Sequence, residues 1–288
     1  MTNATGLQDA YHASLMEFNE SALARERHFH ERPKPLQMRE IDTVARLLGD
    51  RGTLVDIGTG TGIVARTVHR CGHRVISIDA ARTERQKGAL NRLMALGVEG
   101  CFAAVGEEPT GLDDSVADVV FAGDVVEHLP HSPQPFMAEV FRLLRPGGWC
   151  VLTTPNAVRL PVRLRVLMGY GNWVPLDLLW SMGRNDGHHK EYVRDELAEL
   201  LHRSGFADVT VQMIEDTLRR PQIIRSLADV RTRNRFADEA VRDGHFNAAS
   251  PMEWARVAMA GVTALLPGLR SSMMGIGRKP ETTRGKTP

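Results

Sequence analysis

Three groups of residues in this sequence combine side-chain types and spacings that could do chemistry. The first is Asp124-Val125-Val126-Glu127-His128. If a helical turn begins at Asp124, then Asp124, Glu127 and His128 share one face at i, i+3 and i+4. Two carboxylates and an imidazole on one face could hold a divalent ion or move a proton. The second is His188-His189, followed by Lys190, Glu191 and Tyr192 and then by a helical pattern from about Asp195. The third is Val55-Asp56-Ile57-Gly58-Thr59-Gly60-Thr61-Gly62, with Asp79 standing 21 residues after Gly58. Glycines here let the backbone turn sharply and bring a ligand up to a helix N-terminus. An acid at the end of the following strand can accept both hydroxyls of a ribose.

The elements that must position these groups can be read from the apolar pattern. Short apolar runs at 54–57, 75–78, 101–105, 119–122 and 149–153 alternate with helical stretches or turn signals. Continuous runs of this length suit strands buried on both faces, and their alternation with helices implies a parallel sheet. The glycine loop then leaves the first strand, Asp79 ends the second and Asp124 follows the fourth. All three lie at the carboxyl edge, where the ligand crevice of such sheets is found. After Pro135, the residues Phe136, Val140, Leu143 and Leu144 share a helical face that Pro146, Gly147 and Gly148 bring to an end. A helix from about Asp195 turns Leu197, Leu200 and Leu201 inward and stops at Gly205.

Around this core, 49–217 and 271–280, three additions are expected. Residues 1–48 read as a helical arm, with Met38, Ile41, Val44, Ala45, Leu47 and Leu48 forming its apolar stripe. Residues 157–187 follow the fifth strand and carry Trp173, Val174, Leu176, Leu178, Leu179 and Trp180, which suits a lid. Residues 218–270 read as a helical insertion before a last strand at 273–276, and 281–288 as a disordered tail.

The formal net charge of +1 argues against a protein that wraps nucleic acid through its overall charge. Cys71, Cys101 and Cys150 are too few and too widely spaced for a disulfide framework or a zinc site, and free thiols fit a reducing compartment. A basic start followed by an apolar stretch is missing at the N-terminus, and no apolar run approaches the roughly 20 residues that cross a bilayer. A cytoplasmic protein is therefore expected. One segment departs from neutrality: Arg219, Arg220, Arg225, Arg231, Arg233 and Arg235 face a single acid, Asp229. Such a run is ordinarily a solvated helix face, and its sharper use is docking of a phosphorylated or lipid-linked ligand or RNA. Trp254, Val257, Ala258, Val262 and Leu265, at helical spacing, suit packing on the core, a second subunit or a membrane surface.

The form Asp56-x-Gly58-x-Gly60-x-Gly62 has Ile63 where a dinucleotide-binding loop would have its third glycine. With Asp79, Glu127-His128-Leu129, Leu144-Arg145-Pro146-Gly147-Gly148, Thr154-Pro155-Asn156 and Gly205-Phe206, the chain over about 53–214 resembles the class I S-adenosylmethionine-dependent methyltransferases. Within them it is similar to the ubiquinone-pathway O-methyltransferase branch. The resemblance implies a Rossmann-like, doubly wound α/β fold: a mostly parallel seven-stranded sheet with an antiparallel last strand, a helical lid and a C-terminal helical insertion. It implies S-adenosylmethionine as cofactor, with Gly58, Thr59 and Gly60 along the methionine moiety and Asp56 ordering its amino end. Asp79 would hold the ribose, Glu107 would stand near the adenine amino group where the family usually has Asp, and Asp124 would border the same site.

The Glu127-His128 stretch is also similar to a Glu-x-x-Glu-His element that the same branch shares with small-RNA 2′-O-methyltransferases, where it is associated with divalent metal. This implies Asp124, Glu127, His128 and His188 as donors to Mg, Mn or Zn, and His128 or His189 as a catalytic base. The expected reaction is O-methylation of a small molecule or glycan. Peripheral membrane contact or a homodimer is a further expected association, and no stable nucleic-acid complex is expected. An RNA methyltransferase, a nicotinamide-dependent oxidoreductase and a non-catalytic cofactor-binding protein are the alternatives.

Overall fold

The computed structural model describes residues 4–21, 35–80, 82, 84–171, 180, 187–215 and 251–281. Two helices come first, α1 (Ala4–Ser21) and α2 (Pro35–Leu48). They are followed by β1 (Thr53–Ile57), α3 (Ile63–Arg70), β2 (Arg74–Asp79), α4 (Glu84–Ala95), β3 (Glu99–Phe102) and β4 (Ala117–Gly123). A 3₁₀ turn, Val126–His128, leads to α5 (Gln134–Leu143), β5 (Leu144–Pro155) and α6 (Leu160–Leu167). Then come α7 (Arg194–Arg203), β6 (Ala207–Ile214), α8 (Pro251–Leu265) and β7 (Ser272–Arg278).

The strands form one seven-stranded sheet in the order β3-β2-β1-β4-β5-β7-β6. The first five are mutually parallel, and β7 inserts antiparallel between β5 and β6. This is the Rossmann-like architecture with its antiparallel last strand. The strand order reverses between β1 and β4, so a crevice opens there at the carboxyl ends, bounded by the glycine loop and by Asp124.

The sheet forms from these residues because both of its faces are covered. Leu54, Val119, Phe121 and Val151 face Tyr11, Ile41, Val44 and Ile63 of the N-terminal helices and α3. Their neighbours Val55, Val120, Ala122 and Leu152 face Phe136, Val140, Leu143, Leu197 and Leu201 of α5 and α7. Where both faces are covered the strands need no polar alternation, and only the edge strand β6 alternates, with Thr210 and Gln212 exposed. The leading arm is part of the first layer. Tyr11 and Phe18 of α1 are fully buried, and Glu17 pairs with Arg70 and, at 3.4 Å, with the buried Arg66 of α3.

Three local expectations are corrected. The third strand is Glu99–Phe102 rather than 101–105. Ala103, Ala104 and Val105 are buried as a loop, with the Ala103 amide donating to the Asp79 carbonyl at 3.0 Å. Leu144 opens β5 instead of closing α5, and Pro146, Gly147 and Gly148 lie inside the β5 span. Asp124 does not start a helical turn: it takes a left-handed conformation, φ 51°, ahead of the 3₁₀ turn. Residues 172–179 and 181–186 of the expected lid, Trp173 among them, the arginine run 219–235 and residues 282–288 lie outside the described residues. None of the described helices is long and apolar enough to cross a membrane.

Candidate active site

The glycine loop is built by the end of β1. Gly58, Gly60 and Gly62 all have positive φ (70°, 55° and 76°), so the chain can reverse within five residues before α3 begins. The Gly58 amide donates to the Ile78 carbonyl at 2.8 Å, and the Gly60 amide to Asp79 Oδ2 at 3.1 Å, which pins the loop against the end of β2. Behind the loop Asp56 is buried and accepts the Thr59 hydroxyl on Oδ2 at 3.2 Å. Burial pushes the Asp56 carboxyl up to about 7; the Thr59 hydroxyl opposes the rise and the Asp79 charge adds to it.

Two cavities meet at this loop, and Gly58 and Asp124 line both. The larger, about 390 Å³, is bounded by Asp79, Gln86, Ala104, Glu107, Leu129 and Phe136. The smaller, about 210 Å³, is bounded by Gln37, Glu40, Asp56, Thr59 and Thr61. Six of the seven expected cofactor residues, Asp56, Gly58, Thr59, Asp79, Glu107 and Asp124, thus border the cavities, with Gly60 bonded to Asp79 between them. Glu107 is engaged already: its Oε1 accepts Arg82 Nη2 at 2.8 Å and lies 3.3 Å from His131 Nε2. Burial would raise that carboxyl, but Arg82 and His131 together hold it below the usual range.

The third group assembles where the 3₁₀ turn meets the segment before α7. Donor atoms of Glu127, His128 and His188 lie within 4.8 Å of one another. Glu127 is fully buried, and among the described residues neither of its carboxylate oxygens has a hydrogen-bond partner of full geometry. Burial pushes it up to about 8, with the nearby Asp124 charge adding to the rise. The backbone holds the cluster together: the His189 and Lys190 amides donate to the Glu127 carbonyl at 2.7 and 3.2 Å.

The ring orientations follow from their partners. His128 Nδ1 donates to the Gly187 carbonyl at 2.7 Å, which leaves Nε2 with its lone pair. Burial lowers the pKa of this imidazole, so it is neutral near pH 7. His188 Nδ1 donates to Glu191 Oε1 at 2.9 Å, a partner that raises the pKa of this imidazole, and Nε2 can serve as a ligand atom when the ring is neutral. Glu191 in turn takes Arg159 Nη1 at 2.5 Å. Burial alone would raise Glu191, yet His188 and Arg159 hold it at about 2. A carboxylate behind a histidine is the arrangement that fixes tautomer and ring direction at metal sites. Of the four expected metal donors, three are brought together. Asp124 is outside the group, because its left-handed backbone, tied by its amide to the Thr153 carbonyl at 3.0 Å, turns it toward the cavities.

Sequence reasoning missed Glu191, Arg159, Arg82, His131, Gln37 and Glu40. The spacing of Glu191, three residues after His188, was visible. The others reach the site across 24 residues or more, as in the pairings of His131 and Arg82 with Glu107, and left no local signal.

Comparison with known proteins agrees with this geometry. A family model described as "Methyltransferase domain" matches residues 28–211. A ubiquinone biosynthesis O-methyltransferase of Burkholderia thailandensis is 34% identical over 123 residues, 42% of this chain and 51% of that protein. A probable S-adenosylmethionine-dependent methyltransferase of Mycolicibacterium smegmatis is 32% identical over 165 residues, 57% of this chain and 53% of that protein. The chain thus spans about half the length of the curated relatives it matches. Among solved structures, a SAM-dependent methyltransferase from Archaeoglobus fulgidus superposes with a TM-score of 0.52 at 16% identity, covering 85% of this chain and 93% of that one, and so shares the fold.

Proposed function

Since the chain belongs to the methyltransferase-domain family, the class I S-adenosylmethionine-dependent methyltransferases, we propose that it methylates a hydroxyl oxygen of a small molecule or glycan with the help of a divalent cation. The observation that carries this reading is Glu127: a fully buried carboxylate whose oxygens have no hydrogen-bond partner of full geometry among the described residues, converging with two imidazoles whose Nε2 atoms can serve as ligands. Burial disfavours the charged form of this carboxyl, and a bound cation would stabilise that form. One oxygen and two nitrogen ligands suit Zn or Mn, and Mg less well. Bound there, such an ion would supply Lewis acidity that makes an acceptor hydroxyl more acidic.

The chain's own residues do the rest. Asp79, braced by the Gly60 amide, holds the ribose end of the donor, and Gly58 and Asp124 border the passage through which its sulfonium methyl faces the acceptor. Alignment of this kind contributes roughly 7–11 kcal/mol in oriented displacements. The acceptor oxygen attacks the methyl carbon in line as the carbon–sulfur bond breaks, and S-adenosylhomocysteine leaves as a neutral thioether. We assign the acceptor's proton to His189, the imidazole that is exposed beside the cluster and outside the donor group. α6 leaves the carboxyl edge of β5 with Leu164, Val166, Leu167 and Met168 exposed, which supports an acceptor with an apolar part.

The test is transfer of an isotope-labelled methyl group from S-adenosylmethionine to a panel of catechols, phenols, sugar hydroxyls, amines and short RNAs. Label is expected on oxygen of a catechol, phenol or sugar. Label on amine nitrogen alone, or on RNA alone, would contradict the reading.

A further inference from the structure

We propose that Arg82, Glu107 and His131 form a clasp at the mouth of the larger cavity, and that its opening sets how fast the donor enters and S-adenosylhomocysteine leaves. The inference rests on the donor lying in that cavity and is independent of the acceptor.

Three separate segments meet at one carboxylate oxygen. Arg82 stands between β2 and α4, Glu107 follows β3, and His131 precedes α5. Glu107 Oε1 accepts Arg82 Nη2 at 2.8 Å and has His131 Nε2 at 3.3 Å. The same segments bound the nucleoside end, since Arg82, Glu107 and Pro130 line the larger cavity together with Asp79. The family resemblance implies an adenine contact for Glu107. Its Oε1 is instead spent on joining one wall of the cavity to two others.

One side of the clasp is anchored. The Glu107 amide donates to the Ala104 carbonyl at 2.9 Å. Beside it Gly106, at φ +87°, approaches α5 so closely that a Cβ there would stand 2.7 Å from the Phe136 amide nitrogen. The contact itself lies at the boundary with solvent: the side chains of Arg82, Glu107 and His131 are 33%, 31% and 29% exposed. An ion pair in that setting is weak and is screened by salt, so it breaks and reforms without cost to the fold. Because the clasp must open for passage in either direction, it acts on both rates and leaves the binding equilibrium alone. Release of product limits turnover in many enzymes, and this is the step such a clasp would govern.

The experiment is surface plasmon resonance of the immobilised full chain with S-adenosylhomocysteine. Arg82→Met is expected to raise the association and dissociation rates together by about threefold, the scale of one exposed ion pair, with Kd within about twofold of wild type. High salt should raise both rates in the wild type and neither in the variant. Adding Glu107→Gln to Arg82→Met should give no further gain, since both changes remove the same ion pair. Arg74→Gln, at the exposed Arg74–Glu99 pair between β2 and β3, is the control and should change neither rate. Faster dissociation with association unchanged would make Arg82 a contact of the donor and overturn the clasp, as would unchanged rates in both directions. Wild-type protein that does not bind S-adenosylhomocysteine would instead overturn the donor assignment.

Discussion

Gly58→Ala is expected to lower affinity for S-adenosylhomocysteine by at least about 100-fold while the protein stays folded. Two independent costs converge on this one methyl group. Gly58 has φ +70°, a conformation that costs an L-residue roughly 1–2 kcal/mol. A Cβ there would also stand 2.4 Å from Val125 Cγ2, so one of the two segments must move. Both segments line the larger cavity, and the displacement falls where the two cavities join. Gly49→Ala is the matched control. Gly49 has nearly the same φ, +68°, but a Cβ there would meet none of the described residues within 4 Å. It should cost about 1 kcal/mol of stability and leave affinity unchanged. Calorimetric titration with melting curves separates the cases. A Gly58→Ala protein that binds within threefold of wild type would show that the loop does not contact the donor.

The second large effect concerns Glu127. Glu127→Gln should reduce kcat by at least about 100-fold, the scale of losing an electrostatic catalytic group, with affinity for S-adenosylhomocysteine unchanged. Chelation of the wild type should give the same loss, with recovery on adding Mn²⁺ or Zn²⁺. A purely structural Glu127 would behave differently, and stability tells the two apart. Its folded-state pKa, raised to about 8, lies above the unfolded value, so the folded protein favours the protonated form. Stability from this group is therefore fullest at acid pH, and falls as pH rises from the unfolded pKa to about 8. In chelator, Glu127→Gln should melt no lower than wild type, with its advantage larger at pH 8 than at pH 5. Undiminished turnover in chelator would contradict the metal reading, and a variant that melts lower at pH 8 would mark Glu127 as a structural residue.

The parts of the site that the sequence made legible are those whose geometry is local. The strand, loop and helix from Thr53 to Arg70 fix where Gly58 and Gly60 stand, and a strand ending at Asp79 completes the pattern. Glu127 and His128 were legible for the same reason, since they leave β4 within five residues. The face shared by Asp124 was misread, because helical periodicity assumes a right-handed start and Asp124 has φ 51°. The third strand was misplaced because Ala103 to Val105 owe their apolar character to burial beneath the cavity rather than to a ladder. What stayed hidden is long-range. Arg159 meets Glu191 across 32 residues, and Thr153 meets Glu40 across 113. No periodicity carries that information, because those pairs are made by sheet order and by where the arm docks.

The central claim is that the donor spans the two cavities at the β1–β4 switch point, and a crystal structure of the S-adenosylhomocysteine complex tests it most directly. The expected result places both ribose hydroxyls on Asp79, the sulfur beside Gly58 and Asp124, and the amino-acid end in the smaller cavity near Asp56. A ligand with its aminobutyrate outside the smaller cavity, or a crevice that takes a nicotinamide dinucleotide in its place, would contradict the account.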